Sequence, residues 1–405
     1  MLHLVFKKIK YMIKQLRTRY NENFTAEKYA EFYKNIETEV GAAVGFRLCE
    51  TPVFIDKTFK AKLLQGCEDV FKTILSSDFK EKTEGSLSYN VPNENAHTHF
   101  MQVDFGVCIN ETGEIEPQMI EIQGFPSLYA LQAAMAVAYR KTFFIPADYT
   151  TMFGGHDTAS YLQLLKEVIV ADCNPKNVIL LEIEPEKQGT SVDFYATAKY
   201  LGIKILCLTK LKKEGKNLFY LDDDGKKIAV KRIYNRVIFD ELDKRTDLEC
   251  EFKFTDEINA EWVGHPNWFF RISKYTLPLF SSPYVPKSYF LHELKEIPSD
   301  LENFVLKPLF SFAGMGVKIN VMPEDIAAIE DKENYILQQK VNYHPIVETP
   351  SGPAKCEIRM MVVWRDGDEK PTIVNNICRV SKGEMVGVRY NKDKDWVGGT
   401  VCFFE

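Results

Sequence analysis

A lysine that leaves a strand beside two glycines has the makings of an anion grip. Residues 304–318 read Phe-Val-Leu-Lys-Pro-Leu-Phe-Ser-Phe-Ala-Gly-Met-Gly-Val-Lys. An apolar strand delivers Lys307, Pro308 stops it, and a loop with Ser311, Gly314 and Gly316 follows. A second apolar stretch from Val317 to Val321 completes an expected β-hairpin. Glycine adds no Cβ, so backbone N–H groups in such a loop can approach phosphate oxygens. The lysine supplies a point charge. Neither a helix nor a Gly-Lys-Ser/Thr ending follows, so this is not a Walker A loop. Taken alone, the segment also reads as an ordinary glycine-containing hairpin.

Oxygen donors gather upstream. Met-Ile-Glu-Ile-Gln-Gly-Phe-Pro-Ser (119–127) puts Glu121 and Gln123 on one face of a strand, and Asp104 of Val-Asp-Phe-Gly can lie beside them on the neighbouring strand. Two carboxylates and an amide oxygen form a hard site suited to Mg²⁺. The alternative is a solvated polar sheet face, although Glu121 sits between Ile120 and Ile122 in an otherwise apolar strand. Cations follow on later strands. Arg379 in Cys-Arg-Val-Ser suits a bidentate phosphate clamp; Arg359 is a further cation on a period-two position, sharing a face with Glu357, for which an internal salt bridge is the favoured alternative. The strand Tyr335 to Val341 runs into polar residues, where backbone groups can read an adenine edge with Gln339 and Lys340 beside them; a plain edge strand is the alternative. Asn391 to Gly399 is a charged loop ending in a glycine pair.

Hydrophobic periodicity supplies the elements that must hold these groups. Residues 25–40 and 57–76 read as helices, Phe100 to Ile109 and Gln118 to Gln123 as strands, and Ser127 to Arg140 as a helix. From residue 158 helix and strand alternate: Thr158 to Val170, Val178 to Ile183, Ser191 to Leu201, Lys204 to Leu208. That rhythm predicts a parallel α/β unit, closed by a hairpin (Leu218 to Ala229) and a strand from Arg232 to Val237. Residues 262–300 read as a connector. The last lobe holds the Lys307 hairpin, Tyr335 to Val341, Cys356 to Trp364, Pro371 to Val380 and a glycine-bearing C-terminus.

The chain has 405 residues, room for two or three lobes. Its net charge of −6 argues against general nucleic-acid binding. Nine scattered cysteines, an odd count with no Cys-x-x-Cys pair, read as reduced core thiols of a cytoplasmic protein. Met1 to Tyr20 has the spacing of a basic amphipathic helix that packs on its own protein, with no apolar run long enough for a signal peptide or a membrane span.

In set and order, these motifs resemble the ATP-grasp superfamily. Its lysine strand, glycine loop, adenine strand, arginine strands and Asn…Gly-Gly segment run in order here from 274 to 399, whereas the metal segment stands ahead of them at 104–123. That order is similar to the circularly permuted branch of eukaryotic glutathione synthetase and glutathionylspermidine synthetase, over roughly residues 97–400. The resemblance implies an α/β (α+β) ATP-grasp fold with an inserted parallel substrate domain. It divides the chain at 1–150 (N-terminal helices and metal strands), 151–262 (substrate domain) and 263–405 (nucleotide lobe).

The resemblance further implies an ATP-dependent ligase that joins a carboxylate to an amine or thiol through an acyl phosphate, with ATP and Mg²⁺ as cofactors and small peptide-like substrates. Lys274, Lys307, Ser311, Gly314, Gly316, Gln339, Lys340 and Val341 would hold the nucleotide, and Asp104, Glu121 and Gln123 the metal. Arg379, Lys307 and Gln102 would serve the reaction. Arg236 in Tyr-Asn-Arg-Val and Ser127 would meet the substrate, and Ser311 to Gly316 would close as a lid. Two departures stand out: the family's metal-strand asparagine is Gln123, and its arginine two residues before the aspartate is Gln102, with His97 and His99 nearby as possible substitutes. They leave room for a second reading, a degenerate nucleotide-binding module acting as sensor or partner subunit, and for a third, an α/β protein that binds no nucleotide.

Overall fold

A computed structural model describes residues 13–311, 314–387 and 390–405. Its centre is a five-stranded antiparallel sheet. The spatial order is Gly398–Thr400, Thr372–Ser381, Lys355–Val363, Phe100–Ile109, Ile115–Gln123. Strands from both ends of the chain therefore meet in one sheet. Period-two alternation sorts its faces. Met101, Val103, Phe105, Ile358, Met360 and Val362 point into a core that also takes Phe59, Leu63, Val70 and Phe71 from the helix Lys57–Ile74. Gln102, Asp104, Glu357 and Arg359 occupy the opposite face and are buried.

A second sheet is parallel, in the order Glu261–Val263, Arg232–Asn235, Val178–Glu182, Lys204–Cys207. The helix Ser191–Leu201 provides the crossover from Val178–Glu182 to Lys204–Cys207, and the helix Thr158–Ile169 precedes the first strand, in the alternating order that the pattern predicts. A small antiparallel sheet of Lys212–Glu214, Asn217–Leu221 and Lys227–Val230 adds one strand to the expected hairpin. The helix Tyr129–Thr142 packs on both Ala26–Val40 and Ser191–Leu201, joining the two halves.

The Lys307 segment differs from its expected form. Phe304–Pro308 pairs with Tyr335–Gln339, not with the stretch after the glycine loop, and Ser288–Phe290 completes the three-stranded sheet. Residues 317–321 make one bridge, Leu306 with Lys318. Pro323 then opens a short helix, Pro323–Ala327, and draws the chain away. The expected connector 262–300 holds a helix, Pro266–Arg271, a 3₁₀ turn, Lys274–Leu279, and the strand Ser288–Phe290. The helix Lys14–Asn23 covers part of the expected N-terminal helix; residues 1–12 lie outside the described residues. No helix among the described residues is long and apolar enough to cross a membrane.

Candidate functional site

Register brings the charged residues of the central sheet together. Asp104 lies between Arg359 on one side and Glu121 on the other. Two residues along, Gln102 faces Gln123, and on the far strand Glu357 faces Arg379. All of these positions share one face. Lys307 reaches them from the three-stranded sheet, and Lys274 from the 3₁₀ turn.

Arg359 grips Asp104 with two parallel bonds, Nε to Oδ1 at 2.6 Å and Nη2 to Oδ2 at 2.6 Å. Its Nη1 donates to Gln102 Oε1 at 3.0 Å. Arg379 Nη2 donates to Asp104 Oδ2 at 2.8 Å and to Glu357 Oε1. Tyr343 caps the other Glu357 oxygen at 3.0 Å. Glu121 lies 3.8 Å from Arg359 and 4.0 Å from Lys274. Lys307 Nζ donates to Gln338 Oε1 at 2.5 Å and to the carbonyl of Ile120 at 3.0 Å.

Four cations thus face three carboxylates. Burial alone would raise the Glu121 carboxyl, but Lys274, Arg359, Lys307 and Arg379 together hold it well below its usual value. Burial lowers Lys307 to about 8, with Glu121 opposing that fall. Burial opposes the charge of Arg379 too, yet Glu357, Asp104 and Glu121 raise it above its ordinary value. The surplus of positive charge suits an anion. A bare divalent cation would meet four like charges.

The expected metal donors divide. Both Asp104 oxygens accept from arginines, so in this structure Asp104 clamps Arg359 and Arg379. Among the described residues, no group of three or more His, Cys, Asp or Glu is arranged to hold a metal. Glu121 and Gln123 remain adjacent, with Gln123 Nε2 donating to Glu121 Oε1 at 2.8 Å. They line a cavity of about 30 Å³ together with Lys274 and Ser311. Mg²⁺ commonly binds through one or two protein oxygens, the phosphates and water, and this pair fits that pattern.

The remaining expected residues fall in three places. Ser311 is at the site: its carbonyl accepts from Lys274 Nζ, and its buried Oγ has no hydrogen-bond partner. Gly314 and Gly316 have φ of 69° and 70°, and a Cβ at Gly316 would stand 2.7 Å from Pro308 Cγ, so the turn beside Lys307 requires glycine. The lid expectation falls partly on residues 312–313, outside the described residues. Gln339 and Lys340 turn away from the cluster. Gln339 pairs with the backbone of Lys287, and Lys340 with the carbonyls of Asn303 and Glu302. Val341 packs over Gly106. Gln338, on the Lys307 face, is the residue that reaches the site.

Gln102 is a linker: its Nε2 donates to the carbonyl of Ser127 at 2.6 Å while its Oε1 accepts from Arg359. Arg236 is buried between the rings of Phe125 and Phe194, 4.9 and 5.2 Å from their centroids, with Nε and Nη1 unpartnered. His97 and His99 do not stand in for the missing arginine; His97 stacks on Trp364, and His99 pairs with Asp366 at 3.2 Å. Asn391 closes its own loop onto Lys382 and Gly383. The sequence alone pairs Arg359 with Glu357, whose favoured reading is an internal salt bridge, and carries no signal for Gln338 or Tyr343. The period-two rule, applied once the strand partners are known, places Arg359 and Gln338 at the centre.

No protein-family model matches the chain, and no curated protein matches it. Among solved structures it is similar to a glutathione synthetase-like effector (GSS30) from Globodera pallida in its apo form. The TM-score is 0.59 at 10% identity, over 98% of this chain and 100% of that one. A "Putative gamma-glutamylcysteine synthetase" from Methylobacillus flagellatus KT covers 85% of this chain and 88% of its own at 12% identity, with a TM-score of 0.36, too low to argue from. The first likeness shows an α/β fold similar to that of a glutathione synthetase-like protein, and speaks to fold alone.

Proposed function

We propose that the chain is an ATP-dependent ligase of glutathione synthetase-like type, in a circularly permuted ATP-grasp arrangement. It would join a carboxylate to an amine or thiol through an acyl phosphate. The observation that carries this reading is the convergence of Lys307, Lys274, Arg359 and Arg379 on Glu121 in one buried cluster. The division at 1–150, 151–262 and 263–405 belongs to the same reading.

Lys307, Lys274 and the open edge of Arg379 hold the phosphate oxygens, and the buried surroundings strengthen each contact. Asp104 keeps Arg359 and Arg379 oriented before the nucleotide arrives, so little reorganisation is left for the reaction. Mg²⁺ held by Glu121 and Gln123 would neutralise charge on the transferred phosphoryl group. A substrate carboxylate attacks the γ-phosphorus and ADP leaves. The amine then attacks the acyl carbon and phosphate leaves. Arg236 and the Ser127 loop, tied to the cluster through Gln102, would meet the carboxylate substrate.

The occupied oxygens of Asp104 favour a second reading, a nucleotide-binding module without turnover. Thermal unfolding with ATP, Mg-ATP and GTP, on wild type and on Lys307→Ala and Glu121→Ala, tests the nucleotide site. A rise that needs both ATP and Mg²⁺ and disappears in either variant supports it. No rise with any nucleotide refutes both readings. ADP release with carboxylate and amine pairs then separates ligase from binder.

A further inference from the structure

One segment touches a cation in each of two sheets. Tyr335–Gln339 carries Gln338, whose Oε1 accepts from Lys307. Past that strand the chain crosses to the central sheet, where Tyr343 bridges Cys108 and the His344 N–H donates to the Val107 carbonyl at 2.8 Å. Tyr343 arrives over Gly106. Register sets Gly106 opposite Glu357, two residues from Asp104 and on its face. The missing side chain leaves a notch: a Cβ there would stand 2.9 Å from Tyr343 Cε1 and 2.9 Å from Val341 Cγ1. Lys355 Nζ lies 5.2 Å from the ring centroid. The ring so held directs its hydroxyl to Glu357, donating to Oε2 at 3.0 Å.

Glu357 is the buried middle of a relay. Its Oε1 accepts from Arg379 Nη2, and its side chain is 6% exposed. The same Nη2 donates to Asp104. Nε and Nη1 of Arg379 donate to no group among the described residues, and its side chain keeps 36% exposure. Arg359, by contrast, has all three nitrogens engaged by Asp104 and Gln102. Arg379 is therefore the guanidinium with an edge to offer an incoming oxyanion. Its carboxylate partners hold it by one nitrogen, so its direction follows theirs. The Tyr343 hydroxyl fixes the second oxygen of Glu357 and removes the freedom of that carboxylate to turn. A planar fork aligned beforehand loses less freedom when it grips phosphate.

We propose that Tyr343 is a positioning residue for oxyanion binding: through Glu357 it fixes the direction in which Arg379 offers its free N–H groups. The role rests on the reading of the cluster as a phosphate site.

Calorimetric titration of the full chain with inorganic triphosphate, beside urea unfolding, tests the proposal. Tyr343→Phe keeps the ring in the Gly106 notch and removes only the hydroxyl. It should weaken triphosphate binding by about fivefold, the size of one hydrogen bond. Arg379→Met should weaken binding on its own, and adding Tyr343→Phe should then change it no further, because the group that the hydroxyl aims is gone. A hydroxyl that serves the fold alone would lower the urea midpoint and leave the affinity untouched. That result, or an equal loss from Tyr343→Phe with and without Arg379, overturns the proposal. If Arg379→Met does not fold, Arg379→Lys serves in its place: its single ammonium has no fork to aim, so Tyr343→Phe should cost it less than it costs the wild type, and an equal cost overturns the proposal. Wild type that binds neither triphosphate nor Mg-ATP removes the phosphate site and the ligase reading together. Wild-type binding that Tyr343→Phe matches sinks the role of Tyr343 alone.

Discussion

Asp104→Asn is the sharpest test of how the site is built. Asp104 is fully buried and receives three hydrogen bonds from two guanidinium groups, at 2.6, 2.6 and 2.8 Å. Asparagine keeps the shape but removes the charge, and its NH₂ must face a guanidinium N–H. The cluster would then hold four cations against two carboxylates. Removing one partner of a buried ion pair costs about 3–5 kcal/mol, because the other charge stays desolvated and unpaired. That is a large part of the roughly 5–15 kcal/mol that holds a typical domain folded.

The assay is urea unfolding followed by tryptophan fluorescence; urea is neutral and does not screen the cluster as guanidinium salt would. Arg359→Met should cost a similar amount alone. The double variant should cost less than the sum of the two by about 2 kcal/mol or more, the signature of a shared interaction. Inorganic triphosphate should recover part of the Asp104→Asn loss by giving the freed arginines an anion. A loss below about 1 kcal/mol would refute the reasoning, since that is the size of an exposed pair.

Three further outcomes follow from single residues. Lys307 is charged below its value of about 8, so nucleotide affinity measured by calorimetry should fall as pH climbs through 8, and Lys307→Arg should flatten the fall because arginine stays protonated. Glu182, at the end of a parallel strand, is raised by burial from an ordinary 4.5 to about 8, so the folded state holds a proton that the unfolded state has lost. Stability should therefore decline as pH rises from 4.5 through 8, by up to about 1.4 kcal/mol per unit from this group, and Glu182→Gln should remove that part of the slope in urea midpoints. A Cβ at Gly124 would fall inside contact distance of the Trp268 carbonyl and 2.9 Å from Ile272 Cβ. Gly124→Ala should cost about 1–3 kcal/mol by overpacking and, by displacing the adjacent Gln123 and Glu121, abolish the Mg-ATP thermal shift.

Periodicity made the elements legible and left their partners hidden. Phe100–Ile109 and Ser191–Leu201 have the bounds that alternation and helical spacing predict. The pairing of Phe304–Pro308 was not readable, because nearby apolar residues at 317–321 offered the shorter loop, while the actual partner begins at Tyr335. Loop closure favours the near partner only weakly. Tyr335–Gln339 wins by burying Ile336 and Leu337 fully. The same hidden pairing decides which side chain of this strand meets Lys307. Gln339 and Lys340 were the polar strand end, yet strand alternation turns Gln338 to Lys307.

Asp104 shows why a donor set read from one strand pair is incomplete. The first two strands show a carboxylate beside Glu121; the third adds its guanidinium partner. Arg359 arrives from 255 positions away in the chain and takes both oxygens. The same contact explains why glutamine fits at 102. An arginine at that position would stand within reach of Arg359 Nη1 and place two guanidinium groups in one buried contact. Glutamine instead accepts from Arg359 and donates to the Ser127 carbonyl. Gln102 thereby joins Arg359 to the Ser127 loop. Gln102→Arg should accordingly destabilise the protein by like-charge contact, and should do so less in an Arg359→Met background. If Gln102→Arg costs the same in both backgrounds, the two positions do not meet in one contact.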